Sequence, residues 1–157
     1  MQPTPYDCAR EILETIPLTM QAIGGQMRAN PPLNLSVHQF RTLMFLSRHE
    51  GASLSDAAGH LGLSLPSVSK LVDGLVARGV VARQPHPRDR RRVTLTLTAN
   101  GRSTLQTVRE AVQAHLARIL VTLPPAQRAT VMQAMRALRQ VFAPEREEQA
   151  AGMEGRP

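Results

Sequence analysis

The chain has 157 residues, 42% of them hydrophobic and 20% charged, enough to bury one sizeable core but not to build two independent domains of ordinary size. Nineteen basic residues against 12 acidic ones leave a formal charge of +7. The excess is local: residues 64–102 hold Lys70, Arg78, Arg83, Arg88, Arg90, Arg91, Arg92 and Arg102 against Asp73 and Asp89, a field suited to a polyanion. One cysteine, Cys8, cannot close an intrachain disulfide, and no basic N-terminal region precedes an apolar core. No uncharged apolar run approaches the roughly 20 residues of a membrane helix. A soluble, cytoplasmic protein without a membrane partner is expected.

The first periodic stretch runs from about Asp7 to Met27, with Ile12, Leu13, Ile16, Met20, Ile23 and Met27 at three- and four-residue steps. Pro17 should bend it, and Gly24-Gly25 or Asn30-Pro31-Pro32 should end it. Ser36 then reads as the N-cap of a helix through His49 that turns Phe40, Leu43, Met44 and Leu46 inward, with Gly51 closing it. Ser53 caps a short helix to about Leu61. Gly62 supplies a turn, and Ser64 caps a further helix that reaches Arg78 and stops at Gly79.

After Gly79 the period changes from helical to alternating. Val80 and Val81 precede a turn-like stretch from Gln84 to Asp89, and Val93, Leu95 and Leu97 then alternate with Thr94, Thr96 and Thr98, which reads as a two-stranded hairpin with a basic tip. Thr98 caps a long helix to about Thr122 that carries Leu105, Val108, Val112, Leu116, Ile119 and Leu120 on one stripe. Past Pro124-Pro125, a last amphipathic helix carries Val131, Met135, Leu138 and Phe142. The tail after Pro144 has no apolar period and is expected to be frayed.

The layout is mainly α, with a small two-stranded β wing and a helical dimerisation region. Its expected parts are an N-terminal dimerisation helix in 1–32, a winged helix-turn-helix lobe in 33–100, dimerisation helices in 101–144 and a flexible tail in 145–157. Dimerisation follows from surface: the central lobe is too small to cover the apolar stripes of the flanking helices, and a second copy of the chain is the economical partner.

Two helices joined by a short turn containing Gly62 have the spacing of a helix-turn-helix. On the second of them Val68, Leu71, Val72 and Leu75 form the inward stripe. Ser64, Pro66, Ser67, Ser69 and Lys70 remain outward near its start, where small hydroxyls and one cation reach phosphates and base edges in a major groove. The hairpin tip places Arg88, Arg90, Arg91 and Arg92 next in sequence, and arginine is drawn into a narrow minor groove. Four arginines crowded there repel one another unless an anion is present.

The run Gln39-Phe40 through Leu43, Leu54-Ser55 through Ser64, Val68-Ser69, Leu71-Val72-Asp73, Gly79-Val80-Val81, Arg83, Pro87, Asp89-Arg90-Arg91 and Leu97-Thr98 with Gly101 resembles the MarR family of bacterial regulators. That resemblance is close over residues 33–102. It implies a homodimer with interlocked terminal helices, two winged lobes on a pseudo-palindromic duplex, and a repressor released by a small anionic or aromatic effector bound between the dimer and DNA-binding regions. It also gives Asp73 and Asp89 a wing-supporting role, with Asp73 expected to pair with Arg91. Leu65 and Pro66 depart from the family's usual polar or basic residues, and Gly59 and Gly74 replace helix formers.

Other functions find little footing. The five histidines show no metal-ligand spacing, there is no glycine-rich phosphate loop, and the carboxylates are scattered, so neither an enzyme nor a cofactor is expected. The alternative is a winged-helix module that binds an acidic protein. For the effector, Met20, Phe40, Arg41 and Met44 are candidate lining residues, with Arg41 as the anion contact and an ordinary core the competing role for the apolar three. Cys8 lacks a neighbourhood that would activate it as a redox trigger.

Overall fold

The computed structural model describes residues 2–29, 34–86 and 93–142. In chain order the elements are α1 (Pro5–Ala29), α2 (Val37–Leu46), α3 (Leu54–Leu61), α4 (Leu65–Ala77), β1 (Val81–Pro85), β2 (Val93–Leu97), α5 (Ala99–Leu120) and α6 (Pro125–Phe142). By compactness the chain divides inside α5 into a unit Met1–Leu116 and a unit Ala117–Pro157. The tail expected to fray after Pro144 lies outside the described residues.

Local chemistry sets most of the helix starts. At α1, Asp7 Oδ2 accepts hydrogen bonds from the Thr4 hydroxyl and amide, 2.6 and 3.0 Å away. Those bonds, the hydroxyl's first, hold the Asp7 carboxyl below its ordinary range, with a further contribution from Arg10. Ser36 and Ser53 each form a reciprocal capping box, with Gln39 and Asp56 respectively. Ser64 caps α4 by accepting from the Ser67 amide.

Of the two ends offered for the first helix, α1 takes the later one: it runs through Gly24-Gly25 to Ala29, with Pro17 inside it. Two other boundaries differ from the sequence reading. α2 stops at Leu46, where the Ser47 hydroxyl donates to the Met44 carbonyl at 2.8 Å and gives the helix end a local partner. β1 extends through Gln84 and Pro85, both expected in the turn; proline is tolerated because every strand of a two-stranded sheet is an edge.

The larger unit closes around one core. Phe40, Leu43, Phe45 and Leu46 from α2 meet Ala57 and Leu61 from α3, Val68, Val72 and Leu75 from α4, and the strand residues Val81, Leu95 and Leu97. Complete burial of such side chains contributes roughly 1.5–3 kcal/mol each. Leu105, Val108 and Val112 complete the core from the first turns of α5. In β2 the alternation slips at its start: Val93 is exposed and Thr94 buried, its hydroxyl donating to the Gln84 carbonyl at 3.2 Å. That bond removes the cost of burying a hydroxyl.

β1 and β2 pair antiparallel in the register Val81↔Leu97 to Pro85↔Val93. A third, one-residue partner was not legible beforehand: Ala52 bridges Leu95, whose amide donates to the Ala52 carbonyl at 2.8 Å while its carbonyl accepts from the Gly51 amide at 3.1 Å. The α2–α3 connection is thereby fastened to the hairpin. The hairpin's other end is fixed at α5, where Thr98 accepts from the Gly101 amide (2.9 Å) and donates to the Gly79 carbonyl (2.7 Å). Gly101 itself passes so close to the Val80 carbonyl that a Cβ there would lie 1.9 Å from its oxygen.

The smaller unit is different in kind. α6 has no buried residue, and Met132, Met135, Val141 and Phe142 are exposed. With the end of α5 it forms an apolar cleft of about 440 Å3, lined by Leu120, Val121, Leu123, Val131 and Met132 among others. α1 likewise exposes Tyr6, Leu13, Ile16 and Leu18.

Candidate nucleic-acid interface

The helix-turn-helix forms where the sequence put it. α3 ends at Leu61, and Gly62 takes a left-handed conformation (φ 67°, ψ 33°) as the C-cap, a backbone state that side chains resist and glycine adopts freely. Leu63 and Ser64 then lead into α4. Val68, Val72 and Leu75 are fully buried and Leu71 is half-buried, which fixes the rotation of α4 about its axis. The opposite side is thereby committed to solvent.

On that side Pro66, Ser67 and Lys70 are exposed, and Ser69 is half-buried. Lys70 makes no ion pair among the described residues. The hydroxyls of Ser64 and Ser67 lie 2.8 Å apart and hydrogen-bond to each other, so both are already oriented by local bonding. Pro66 carries no amide hydrogen, which leaves the helix start one donor fewer to offer an anion. Leu65, at the first position of α4, is 49% exposed. It adds an apolar surface to a face that is otherwise polar.

Asp73 has a partner that the sequence reading did not name. Its carboxylate Oδ1 lies 2.7 Å from Nη2 of Arg83. Neutralisation by an arginine was expected, with Arg91 named for it; Arg91 lies outside the described residues, and Arg83 reaches Asp73 from the middle of β1 because that strand leaves the Gly79 turn and lies against α4. Arg88, Asp89, Arg90, Arg91 and Arg92 lie outside the described residues. A second guanidinium, Arg78, donates to the Asn34 carbonyl and ties the end of α4 to the segment before α2.

The four residues singled out for an effector have different surroundings. Phe40 is 8% exposed and belongs to the core. Met20 is half-buried on α1, whereas Arg41 and Met44 share a small cavity with Phe45, Arg48, His49 and His60. The last four were not anticipated. A stripe of Arg41 and Arg48 seven residues apart would have signalled them, but the approach of His60 from another helix had no local sign. Among the described residues no cluster of side chains could hold a metal ion, and no helix is long and apolar enough to cross a membrane.

A fixed helix-turn-helix, a solvent-facing second helix and an adjoining hairpin tied to it by an ion pair define a winged-helix DNA-binding protein. A family model described as the MarR family matches residues 33–92. The chain is 30% identical over 124 residues to the uncharacterized HTH-type transcriptional regulator Mb0904 of Mycobacterium bovis, covering 78% of this chain and 86% of that protein. Against the HTH-type regulator YfiV of Bacillus subtilis it is 32% identical over 103 residues, covering 66% of this chain and 64% of YfiV. Among solved structures, RV1404 from Mycobacterium tuberculosis superposes with a TM-score of 0.76 at 27% identity over 94% of this chain and all of that one. The repressor CouR shares the fold, with TM-scores of 0.68 bound to a 23-mer DNA duplex and 0.69 as the Rhodococcus jostii RHA1 protein bound to p-coumaroyl-CoA. Identities there are 22% and 24%, covering 89% and 94% of this chain and the whole of each neighbour. The chain belongs to the MarR family of helix-turn-helix transcriptional regulators.

Proposed function

We propose that two copies of this chain bind a pseudo-palindromic duplex as a repressor that a small anionic or aromatic ligand releases. Each α4 lies in a major groove, and Ser64, Pro66, Ser67, Ser69 and Lys70 meet phosphates and base edges there. Arg88, Arg90, Arg91 and Arg92 carry the positive charge of the wing toward the neighbouring minor groove, with Asp89 as its support. Residues 33–100 act as the DNA-binding lobe. The flanking helices in 1–32 and 101–144 serve association, since a second copy would cover the apolar surfaces of α1 and α6.

The observation that carries this reading is the ion pair between Asp73 and Arg83. It neutralises the one carboxylate on the outward side of α4 and ties that helix to β1, the strand that leads into the wing. That CouR is known both on a duplex and with an aromatic thioester makes an effector-responsive repressor the economical reading for this relative. The protein is titrated against a random duplex and against its own upstream region across a salt series. A steep fall in affinity with salt, and a footprint of two half-sites about one helical turn apart, are expected. Binding that ignores salt, or that needs an acidic protein instead of DNA, would return the reading to a protein-interaction module.

A further inference from the structure

The tip of α4 carries apolar surface that the core does not use. Leu63 and Leu71 pack against the core, whereas Leu65, between them in sequence, is 49% exposed. Pro66 beside it is exposed as well. Ser69 follows Leu65 and Lys70 follows Pro66 by one helical turn, so the four residues make one patch with two apolar groups at the tip and a hydroxyl and an ammonium behind them. The polar groups nearest the tip are already engaged. Ser64 caps α4 by accepting from the Ser67 amide, the two hydroxyls lie 2.8 Å apart in a hydrogen bond of their own, and Pro66 has no amide hydrogen to offer. What the first turn presents outward is chiefly carbon.

In a major groove such a surface has one counterpart. The base edges there offer ring-nitrogen and carbonyl acceptors, exocyclic amines and the C5-methyl of thymine, and only the methyl gains from an apolar neighbour. Leucine against that methyl takes two apolar groups out of water together. The same leucine over an amine or a carbonyl strips a polar group of its water and gives no hydrogen bond in return. Preference for thymine therefore acts from both sides, as a gain with the methyl and a cost without it.

We propose that Leu65 is a specificity-determining residue that reads the C5-methyl of one thymine in each half-site, with Pro66 flanking the contact and Lys70 on an adjoining phosphate. This rests on α4 being the helix that enters the groove. The lysine fixes register without choosing a base, and the leucine chooses a base without adding charge. Selectivity at that position then hangs on a single methyl group, not on a hydrogen bond.

The full-length protein selects its duplex from a random-sequence pool, and each thymidine of the recovered site is replaced in turn by deoxyuridine, which lacks only the methyl. Affinities are read by fluorescence anisotropy. One position in each half-site should lose about fourfold, the scale of one buried methyl, and the two together about 15-fold. Leu65→Ala should bind the thymidine duplex about as weakly as the unaltered protein binds the doubly substituted one, and should no longer distinguish them. Leu65→Met keeps an apolar chain and should restore the distinction, while Lys70→Gln should weaken both duplexes equally. A scan in which no symmetric pair of thymidines matters overturns the contact, and that scan needs only the unaltered protein, whether or not Leu65→Ala folds. A methyl effect that persists undiminished in Leu65→Ala overturns it too, since another residue would then read the base. A protein that selects a duplex with steep salt dependence but ignores the methyl loses this contact and keeps the regulator reading; one that selects no duplex loses both.

Discussion

The lobe between α2 and the start of α5 and the helix α6 obey opposite rules. In the lobe each helix turns its apolar stripe inward, and Leu43, Ala57, Val68, Val72, Leu75, Leu95 and Val108 are completely buried. α6 has an apolar stripe as regular as theirs and buries none of it. Periodicity therefore says that a face needs covering, not what covers it. The lobe is closed by its own chain, whereas α6 and the outer side of α1 await another surface, and substitutions in the two regions should fail in different ways.

The largest effect belongs to the lobe. In Gly101→Ala the added methyl would meet the Val80 carbonyl at 1.9 Å, a backbone atom that a rotamer change cannot move aside. A loss of about 3 kcal/mol in urea denaturation is expected, and it should not depend on protein concentration. Met135→Glu on α6 inverts that pattern. Met135 is 47% exposed in the single chain, so the fold of the chain should survive, while a carboxylate forced into an apolar association face costs about 2 kcal/mol or more. Sedimentation should show dissociation at concentrations where the parent is dimeric, and DNA affinity should fall with it. Unaltered association would remove α6 from the interface and break the comparison.

Thr98→Ala is the next smaller test. The Thr98 hydroxyl makes two bonds at once, accepting from the Gly101 amide of α5 and donating to the Gly79 carbonyl in the turn between α4 and β1. Loss of a cap with a second bond should cost about 1–2 kcal/mol, again without concentration dependence. Thr98→Ser retains the hydroxyl and should recover most of it.

These positions also show what was legible beforehand. Ser36, Ser53, Ser64 and Thr98 were readable as caps because capping is decided within three residues, and Gly62 because the turn needs a left-handed residue at that spacing. The run Leu97-Thr98 with Gly101 was recognisable as a family mark, and the structure supplies its physical content: a buried side chain, a cap and a close approach of backbones. What escaped was set by contacts between distant segments. The Ala52 bridge depends on where β2 lies, the slip that buries Thr94 depends on the hairpin's register, and the meeting of Phe45 with His60 depends on how α2 packs on α3. Asp73 was intermediate. Its outward position and its need for a cation followed from helix geometry, but the approach of Arg83 depends on the path of β1.

The pair of Asp73 and Arg83 gives the smallest effect on stability and the most direct one on function. Arg83 is about one-third exposed and Asp73 more than half, so water screens the pair and removing either partner should change folding free energy by only about 0–1 kcal/mol. Binding to DNA weights the two charges unequally. Arg83→Ala leaves a bare carboxylate on the side of α4 that carries Lys70, where it repels phosphate, and affinity should fall about tenfold, on the scale of one unscreened charge near a surface. Asp73→Ala removes that repulsion but also unties the wing from the helix, so its loss should be smaller. In the double variant the bare carboxylate is gone as well, and part of the loss caused by Arg83→Ala should return. The double variant therefore loses less than the sum of the two single ones. Measured on one operator across a salt series, strictly additive losses would mean that the ion pair does not couple helix to wing. Equal losses in the two single variants would mean that tethering, not charge, is what the pair supplies.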